Sequence, residues 1–348
     1  AIFDILLTRS EKYGIISEKC AIFTEEFMNQ ASFSCPSCPY GMRKTVTAEK
    51  DNFITRIESA NGNIMMTEYS VFPGISLIYN DVNAEGGVDA AEPADDTVFE
   101  INHCREGRIE CHASDDFFYL APGDMSVGSP AYMECGSYFP LRRYRGITVR
   151  IDTRKAPECL SCLLDDVNIN PKLLIKKFRS AGKCYISRAN PSIEHIFSEL
   201  YSVPEEIRRG YFKVKILELL LFLSCIDPSS EKPAAKPVSG SRAVLAKDAA
   251  KYLAAHMDEH ITISELSAAL HASETQIKES FRAVYGESVY SFARTMKMHA
   301  AALTLRESDA TVLDIAGRFG YSNSSKFAKA FADVMGVSPS EYRNGSRK

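Results

Sequence analysis

Apolar and polar residues alternate in short runs between about residues 63 and 152, which predicts a series of short β-strands. Arg105-Glu106-Gly107 has the composition of a hairpin turn, and Pro122-Gly123-Asp124 predicts a second turn. The predicted strands are Ile64–Tyr69, Ile75–Tyr79, Phe99–Cys104, Arg108–Ala113, Phe117–Leu120, Met125–Val127 and Gly146–Ile151. Many short strands at close spacing favour a small barrel or jelly roll. The residues before 63 are poorly patterned.

After Pro171 the apolar residues recur at helical spacing, which predicts helices over Pro171–Arg179, Pro191–Tyr201 and Pro204–Ile226. The last segment is apolar on more than one face, so it must be covered on both sides. Its apolar residues are Ile207, Tyr211, Val214, Leu217, Leu219, Leu220, Leu221, Phe222 and Leu223. Two interpretations stay open: the helix packs only on its own domain, or it also packs on a second subunit.

A stretch rich in Pro, Ser, Lys and Gly, residues 227–241, predicts a linker because such residues cannot form a core. It divides the chain into residues 1–226 and 242–348. The second part carries 14 Lys or Arg and 12 Asp or Glu, a net charge of +2 within a chain of net charge −4. This mild asymmetry fits a DNA-binding domain attached to an acidic partner domain.

The C-terminal part contains an internal repeat. Residues 262–267 (TISELS) align with residues 311–316 (TVLDIA), and Gly286 aligns with Gly336 once one residue is inserted. A repeat at a spacing of about fifty residues indicates one supersecondary unit that is used twice. The buried positions are predicted to be Ile263, Leu266, Leu270, Ile277 and Phe281 in the first unit and Val312, Ile315, Phe319, Phe327 and Phe331 in the second.

Each unit has start and stop signals for two helices. Thr262 with Glu265, Thr311 with Asp314 and Ser273 with Gln276 have the spacing of capping boxes. The two glycines of the repeat lie where a helix end favours a left-handed residue. Between the units, residues 288–306 predict a helix of about 28 Å. A rigid helix of that length can hold two reading helices about one DNA turn, ~34 Å, apart.

Residues 314–343 read DIAGRFGYSNSSKFAKAFADVMGVSPSEYR, and the upstream segment reads KMHAAALTLRES. Both segments resemble the signature of the AraC/XylS family of transcription regulators, and the match covers about residues 243–345. Three positions depart from the family's pattern: Lys297 stands where Arg is frequent, Lys329 where an Arg commonly contacts DNA, and Ala332 where Lys is frequent. The last two departures reduce bidentate base reading and phosphate charge.

The resemblance implies a sequence-specific regulator whose partners are double-stranded DNA, an unidentified small-molecule effector, a second copy of the chain and RNA polymerase. In the first reading helix, which starts at Ser273, the side chains that avoid the core are Glu274, Thr275, Lys278, Glu279 and Arg282. The resemblance places Thr275, Lys278 and Glu279 toward base edges, and Arg282 suits a phosphate. In the second, the residues that face the groove are Asn323, Ser324, Ser325 and Lys329. Arg343, from a short final helix, is expected to brace the fold.

The family resemblance also implies that residues 1–226 form an effector-sensing and dimerisation domain with a cupin-like barrel at about 63–152 and helices at about 171–226. A metal-binding cupin needs a histidine cluster, whereas here His103 is followed by Cys104 and Arg105, and Val127 replaces the later histidine. No metal, cofactor or enzymatic activity is therefore expected. His103 and His112 are interpreted as strand residues. The basic cluster of Arg142, Arg143 and Arg145 either meets an anionic effector or is a solvated loop.

The predicted fold class is therefore α+β with several domains: the cupin-like barrel with a helical dimerisation segment, and an all-α domain with two helix-turn-helix units. All ten cysteines precede residue 226, and they are expected to be reduced thiols in the cytoplasm. The spacing of Cys35 with Cys38 and of Cys159 with Cys162 leaves open a thiol- or metal-responsive regulator on the same scaffold. No apolar stretch is long enough for a membrane span and no signal peptide is visible, which predicts a cytoplasmic protein.

Overall fold

The computed structural model describes residues 32–33, 43–49, 52–59, 62–84, 86–88, 97–113, 116–129, 137–160, 167–181, 184–188, 191–229 and 237–346. Fourteen strands and ten α-helices lie in these ranges. The strands are β1 Ser32–Phe33, β2 Arg43–Ala48, β3 Asn52–Ser59, β4 Gly62–Phe72, β5 Ile75–Ala84, β6 Gly86–Val88, β7 Val98–Gly107, β8 Ile109–Ala113, β9 Asp116–Leu120, β10 Met125–Gly128, β11 Ser137–Phe139, β12 Arg143–Asp152, β13 Cys184–Ser187 and β14 Val238–Ser239. All seven predicted strands are confirmed.

Nine strands form one antiparallel sheet in the order β1-β2-β3-β4-β5-β12-β7-β10-β13, with β1 and β13 at its two edges. β8, β9 and β14 form a separate three-stranded sheet, and β6 pairs with β11. Among the described residues these strands do not close into a barrel, so the predicted cupin-like barrel is not found. Strand patterns are local, whereas closure depends on which distant strands pair.

The predicted hairpin turn at Arg105-Glu106-Gly107 is wrong, because β7 pairs with β10 and β12, and β8 pairs with β9. Gly107 instead lies at a corner where the chain passes from the large sheet to the small one. Its φ is +79°, and a Cβ atom there would lie 1.8 Å from the carbonyl oxygen of Arg143. The turn at Pro122-Gly123-Asp124 is confirmed, with Gly123 at φ +85° and a hydrogen bond from the Asp124 amide to Ala121.

The ten helices are α1 Pro171–Ala181, α2 Pro191–Leu200, α3 Arg208–Cys225, α4 Gly240–Ala255, α5 Ile263–Leu270, α6 Glu274–Tyr285, α7 Val289–Glu307, α8 Val312–Arg318, α9 Ser324–Met335 and α10 Pro339–Ser346. A 3-10 turn, Glu205–Ile207, precedes α3. Helices α1 to α3 pack on one face of the large sheet, where Leu77, Ile101 and Val149 meet Phe197 and Ile216 in a common core. Because alternate strand residues point to opposite faces, Ile64, Val82 and Cys104 belong to a second core on the other face.

The linker predicted over residues 227–241 extends past the point where regular structure begins. Val238 and Ser239 pair with Phe117 and Asp116 as strand β14, and α4 begins at Gly240. None of the helices in the described part of the chain combines the length and the apolar composition that crossing a bilayer requires.

Candidate nucleic-acid interface

Two pairs of helices, α5 with α6 and α8 with α9, occupy the two copies of the sequence repeat. The capping boxes of Thr262 with Glu265, Ser273 with Gln276 and Thr311 with Asp314 are all present. Gly286 and Gly336 end α6 and α9 in the left-handed conformation, with φ +81° and +78°. These signals fix where each helix begins and ends, so they also fix which side chains project from it.

In α6 the face opposite the core is polar. Ile277 and Phe281 are fully buried, whereas the side chains of Thr275, Lys278 and Arg282 are exposed. Glu274 is half-buried and lies 3.0 Å from the Lys278 ammonium, and the exposed Glu279 lies 3.4 Å from Arg242. The five predicted DNA-contacting residues of this helix therefore project from one side of it. Arg242, at the start of α4, was not predicted to reach this face.

In α9, Phe327 and Phe331 are fully buried, while Ser325 and Lys329 are exposed and Ser324 is half-buried. Asn323 is exposed, but its Oδ1 atom already accepts hydrogen bonds from the amides of Ser325 (2.8 Å) and Lys326 (3.3 Å). This capping role was not predicted, although Asn is among the preferred N-cap residues. The side-chain amide group of Asn323 takes no part in these two hydrogen bonds.

Lys297, in the middle of α7, connects the two helix pairs. Its Nζ atom donates to the carbonyl oxygens of Glu259 (2.5 Å), before α5, and of Phe319 (3.3 Å), at the end of α8. Burial lowers the pKa of this ammonium. Arg294 adds a contact from α7 to Asp333 of α9 at 3.4 Å. Because α7 has its own buried residues, Met298, Ala301 and Leu305, it is a fixed spacer between α6 and α9.

Arg343 donates to the carbonyl oxygen of Ala310 at 2.6 Å, which confirms the expectation that it braces the fold. The helix that carries Arg343 is also capped, because the Glu341 amide donates to the Ser338 hydroxyl and the Ser338 amide donates to the Glu341 carboxylate.

The other candidate groups lie in the sheet domain. His103 is buried in β7, stacks on Phe197 at 4.2 Å and lies 2.9 Å from Glu194, and burial lowers its pKa. It is thus a packed strand residue, while the side chain of His112 lies outside the described residues. Arg143 and Arg145 pair with Glu106 and Asp81 at 3.4 and 3.2 Å. Their charges are therefore balanced locally by carboxylates.

Cys104, Cys111, Cys184 and Cys225 are free thiols, but Cys159 is in a disulfide, so the prediction of reduced cysteines is wrong for that residue. Burial raises the pKa of Cys104 and of Cys184 to about 12, which leaves both unreactive at neutral pH. Cys35, Cys38 and Cys162 lie outside the described residues. Within the described ranges, no cluster of three or more His, Cys, Asp or Glu side chains is arranged to hold a metal ion. These findings do not support the thiol- or metal-responsive alternative.

Residues 266–345 match the family model described as a helix-turn-helix domain. The HTH-type transcriptional regulator YtdP of Bacillus subtilis is 25% identical over 205 residues, which are 56% of this chain and 26% of that protein. The HTH-type transcriptional regulator YdiP of Escherichia coli is 35% identical over 100 residues, which are 29% of this chain and 33% of that protein. A solved structure of a probable AraC family transcriptional regulator from Rhodopseudomonas palustris is 28% identical, has a TM-score of 0.28, and is aligned over 30% of this chain and 99% of that one.

The capped helix pairs and the family match define a helix-turn-helix protein. Together with the signature that runs from Asp314 to Arg343, these features identify residues 266–345 as a helix-turn-helix domain of the AraC type. The chain spans only about a quarter to a third of the length of the two curated relatives named above.

Proposed function

We propose that this chain is a sequence-specific DNA-binding transcription regulator in which each protomer reads two adjacent major-groove segments, one with α6 and one with α9. The observation that carries the proposal is the pair of capped helices, each with a buried apolar face and an exposed polar one, held by α7 and Lys297. A major groove admits one such helix, and successive grooves on one side of the duplex recur at about 34 Å.

Selection of bound duplexes from a random pool, with the purified chain at fixed salt, tests this proposal. We expect enrichment of a site with two preferred blocks about one helical turn apart. No enrichment at low or moderate salt would refute the proposal.

The assigned faces are tested by Lys278→Ala and Lys329→Ala on the selected duplex. Each lysine donates to a base edge or a phosphate, so we expect the double variant to bind on the order of tenfold or more weakly. The matched control is Lys251→Ala on α4, because Lys251 is exposed and pairs with Asp248 on its own helix. Unchanged specific binding by the double variant would show that the assigned faces are wrong.

Dimerisation is part of the proposal, with α3 as the contact surface. Ile207, Val214 and Leu221 recur every seven residues and are 52%, 60% and 40% exposed, while Leu219, Leu220 and Leu223 on the other side of the helix are fully buried. An exposed apolar stripe at heptad spacing is typical of helices that pair with a second copy. A dimer would place four reading helices on one target and offset the modest positive charge of each DNA-binding domain.

Control by a small-molecule effector is also part of the proposal. A cavity of about 660 Å³ lies between β3, β4 and the start of α3, with Phe53, Tyr69 and Phe212 in its wall. The Oδ1 atom of Asn52, in the same wall, is buried without a hydrogen-bond partner. The size of this cavity is typical of small-molecule sites, and the unpaired oxygen favours a ligand that donates a hydrogen bond. Its lining is largely charged, which favours a polar ligand; the charged residues are Glu49, Glu205, Glu206, Arg208, Arg209 and Lys213.

Ser70→Trp tests the cavity because Ser70 lines it and is exposed, so the indole would fill the space without entering a core. With the wild-type chain, we expect the output of a reporter driven by the selected duplex to differ between growth media. With the variant, the output should be the same in every medium. The control is Glu58→Trp, because Glu58 is an exposed residue of the neighbouring strand β3 and does not line the cavity. A medium-dependent response that survives Ser70→Trp would exclude this cavity.

A further inference from the structure

The sheet domain shares a buried core with the first helix pair. Tyr119 and Val238 are buried in one core with Ala246 of α4 and with Ile277 and Phe281 of α6. The core of the second pair consists of residues from Met257 onward within the described part of the chain. The two halves of the repeat therefore differ in their contact with the rest of the molecule.

A buried ion pair lies at the centre of this contact. Glu110 of β8 is 3% exposed, and its carboxylate accepts from the Lys247 ammonium of α4 at 2.7 Å and from the Tyr119 hydroxyl at 2.5 Å. The same ammonium lies 4.1 Å above the ring of Tyr138. A buried carboxylate that loses its cation is strongly disfavoured, so Glu110 and Lys247 separate only if the whole contact opens to water.

A second contact reaches the reading helix itself. Arg108, at the start of the small sheet, donates from Nη2 to the carbonyl oxygen of Ala283 at 3.2 Å, in the last turn of α6. The hydroxyl of Tyr138 lies 3.2 Å from that of Tyr285 in the same turn. The carbonyls of a last turn lack partners within the helix and carry a partial negative charge, so a guanidinium there both satisfies and orients the helix end.

The repeat provides an internal comparison at this position. A Cβ atom on Gly286, which ends α6, would lie 2.4 Å from Nη1 of Arg108, whereas a Cβ atom on the equivalent Gly336, which ends α9, would meet nothing within 4 Å. The end of the second reading helix therefore has open space where the first has the guanidinium of the sheet domain.

From this asymmetry we propose that Arg108 and the Glu110–Lys247 pair are positioning residues for α6, through which the sheet domain sets base discrimination by the first helix pair and not by the second. The inference rests on the proposed function, since it assumes that α6 and α9 read separate blocks of one site. The sheet domain then acts on which half of the target is read accurately, in addition to any effect on total affinity.

The test uses the full chain and three forms of the selected duplex: intact, with one block scrambled, and with the other block scrambled. The block read by α6 is the one whose scrambling no longer lowers the affinity of Lys278→Ala. The block read by α9 is identified in the same way with Lys329→Ala. The positioning variants are Arg108→Met and the double variant Glu110→Gln with Lys247→Met. The double variant removes both charges together, so it leaves no unpaired buried ion if Arg108→Met fails to fold.

We expect the wild-type chain to lose affinity on the order of tenfold when either block is scrambled. In both positioning variants the loss for the α6 block should shrink to about twofold, while the loss for the α9 block keeps its wild-type size. Arg108→Lys, which retains a cation, should restore discrimination at the α6 block, and Lys251→Met on α4 should behave as wild type.

Equal discrimination at both blocks in the positioning variants, or an equal decrease at both, would overturn the inference even if these variants are less stable. A wild-type chain that binds the intact duplex no better than the scrambled ones would instead refute the proposed function, and this inference with it.

Discussion

Glu265 and Asp314 complete the capping boxes at the starts of α5 and α8. Each carboxylate accepts hydrogen bonds from the threonine that caps its helix. The Glu265 carboxylate accepts from the backbone amide and the hydroxyl of Thr262 at 2.7 and 2.8 Å, and these hydrogen bonds hold its pKa below the usual range. Asp314 has the same arrangement with the hydroxyl and amide of Thr311, and its pKa is also lowered. Each cap is therefore strongest when its carboxylate is ionised.

Glu265→Gln should make the DNA-binding domain less stable than wild type above the ordinary glutamate pKa of about 4.3. The folded pKa is lowered, so the contribution of the charge is present above that value and is lost as the pH falls through the folded pKa. The measurement is the urea midpoint of helix unfolding from pH 7 to pH 3 for both chains. A difference between the two chains that stays constant or grows toward pH 3 would contradict the assigned sign.

At the scale of elements, the two sides of α3 have different surroundings. One side is fully buried against the large sheet, and Val214 on the other side is 60% exposed. The sequence predicts a helix that must be covered on both sides, whereas among the described residues one side is covered and the other keeps Val214 and Leu221 exposed.

Val214→Glu should therefore weaken self-association with little effect on the fold, because a charge in an apolar contact between copies must be desolvated. Sedimentation or light scattering across a concentration series measures the change. The control is Leu173→Glu on α1, since Leu173 is equally exposed at 64% but lies outside the stripe. If the wild-type chain is monomeric throughout, or if Val214→Glu associates as wild type does, α3 is not the contact between copies.

Some elements are predictable from the sequence and others are not, for physical reasons. Strands such as β5 and β12 have strong apolar alternation, and the caps of α5, α6 and α8 are local patterns, so both were predictable. β2 and β3 were missed because their sequences, RKTVTA and NFITRIES, are mostly polar. α4 was missed because the residues it buries are mainly alanines, Ala243, Ala246 and Ala249, which hardly stand out from the alanines of the preceding linker.

For the candidate DNA interface, the sequence was sufficient to choose the exposed residues of α6 and α9, because capping and apolar spacing together fix the orientation of a helix. The capping role of Asn323 and the two carbonyl contacts of Lys297 were not predicted. The contact of Arg108 with Ala283 and the contact of Glu110 with Lys247 were also not predictable, since each joins residues more than a hundred positions apart. Such contacts depend on how the folded sheet domain packs against the folded helices.

At the scale of the whole molecule, the contacts of α7 and Lys297 with both helix pairs imply, under the proposed function, a single spacing between α6 and α9. Inserting about five base pairs between the two blocks turns the second block to the opposite side of the duplex, beyond the reach of α9. We expect affinity to fall to that of a duplex with a single block. An insertion of about ten base pairs should not restore it, because the separation grows by roughly another 34 Å.

Gel-shift or anisotropy titration of the three duplexes measures this dependence. Lys297→Met removes the hydrogen bonds from the ammonium to the carbonyl oxygens of Glu259 and Phe319, so the variant should tolerate a change of one base pair better than wild type does. Equal affinity of the wild-type chain for all spacings would mean that the two helix pairs move independently.

The short strand β14 has a practical consequence for protein engineering. Since Val238 and Ser239 are hydrogen-bonded to β9 immediately before α4 begins, the permissive site for a fusion junction or an inserted tag lies upstream of them, in the Pro-, Ser- and Lys-rich stretch of the linker. A hybrid regulator joined at Gly240 would carry the reading helices but lose the strand that seats them on the sheet domain. One joined before Pro237 would transplant the DNA-binding domain together with its own docking strand.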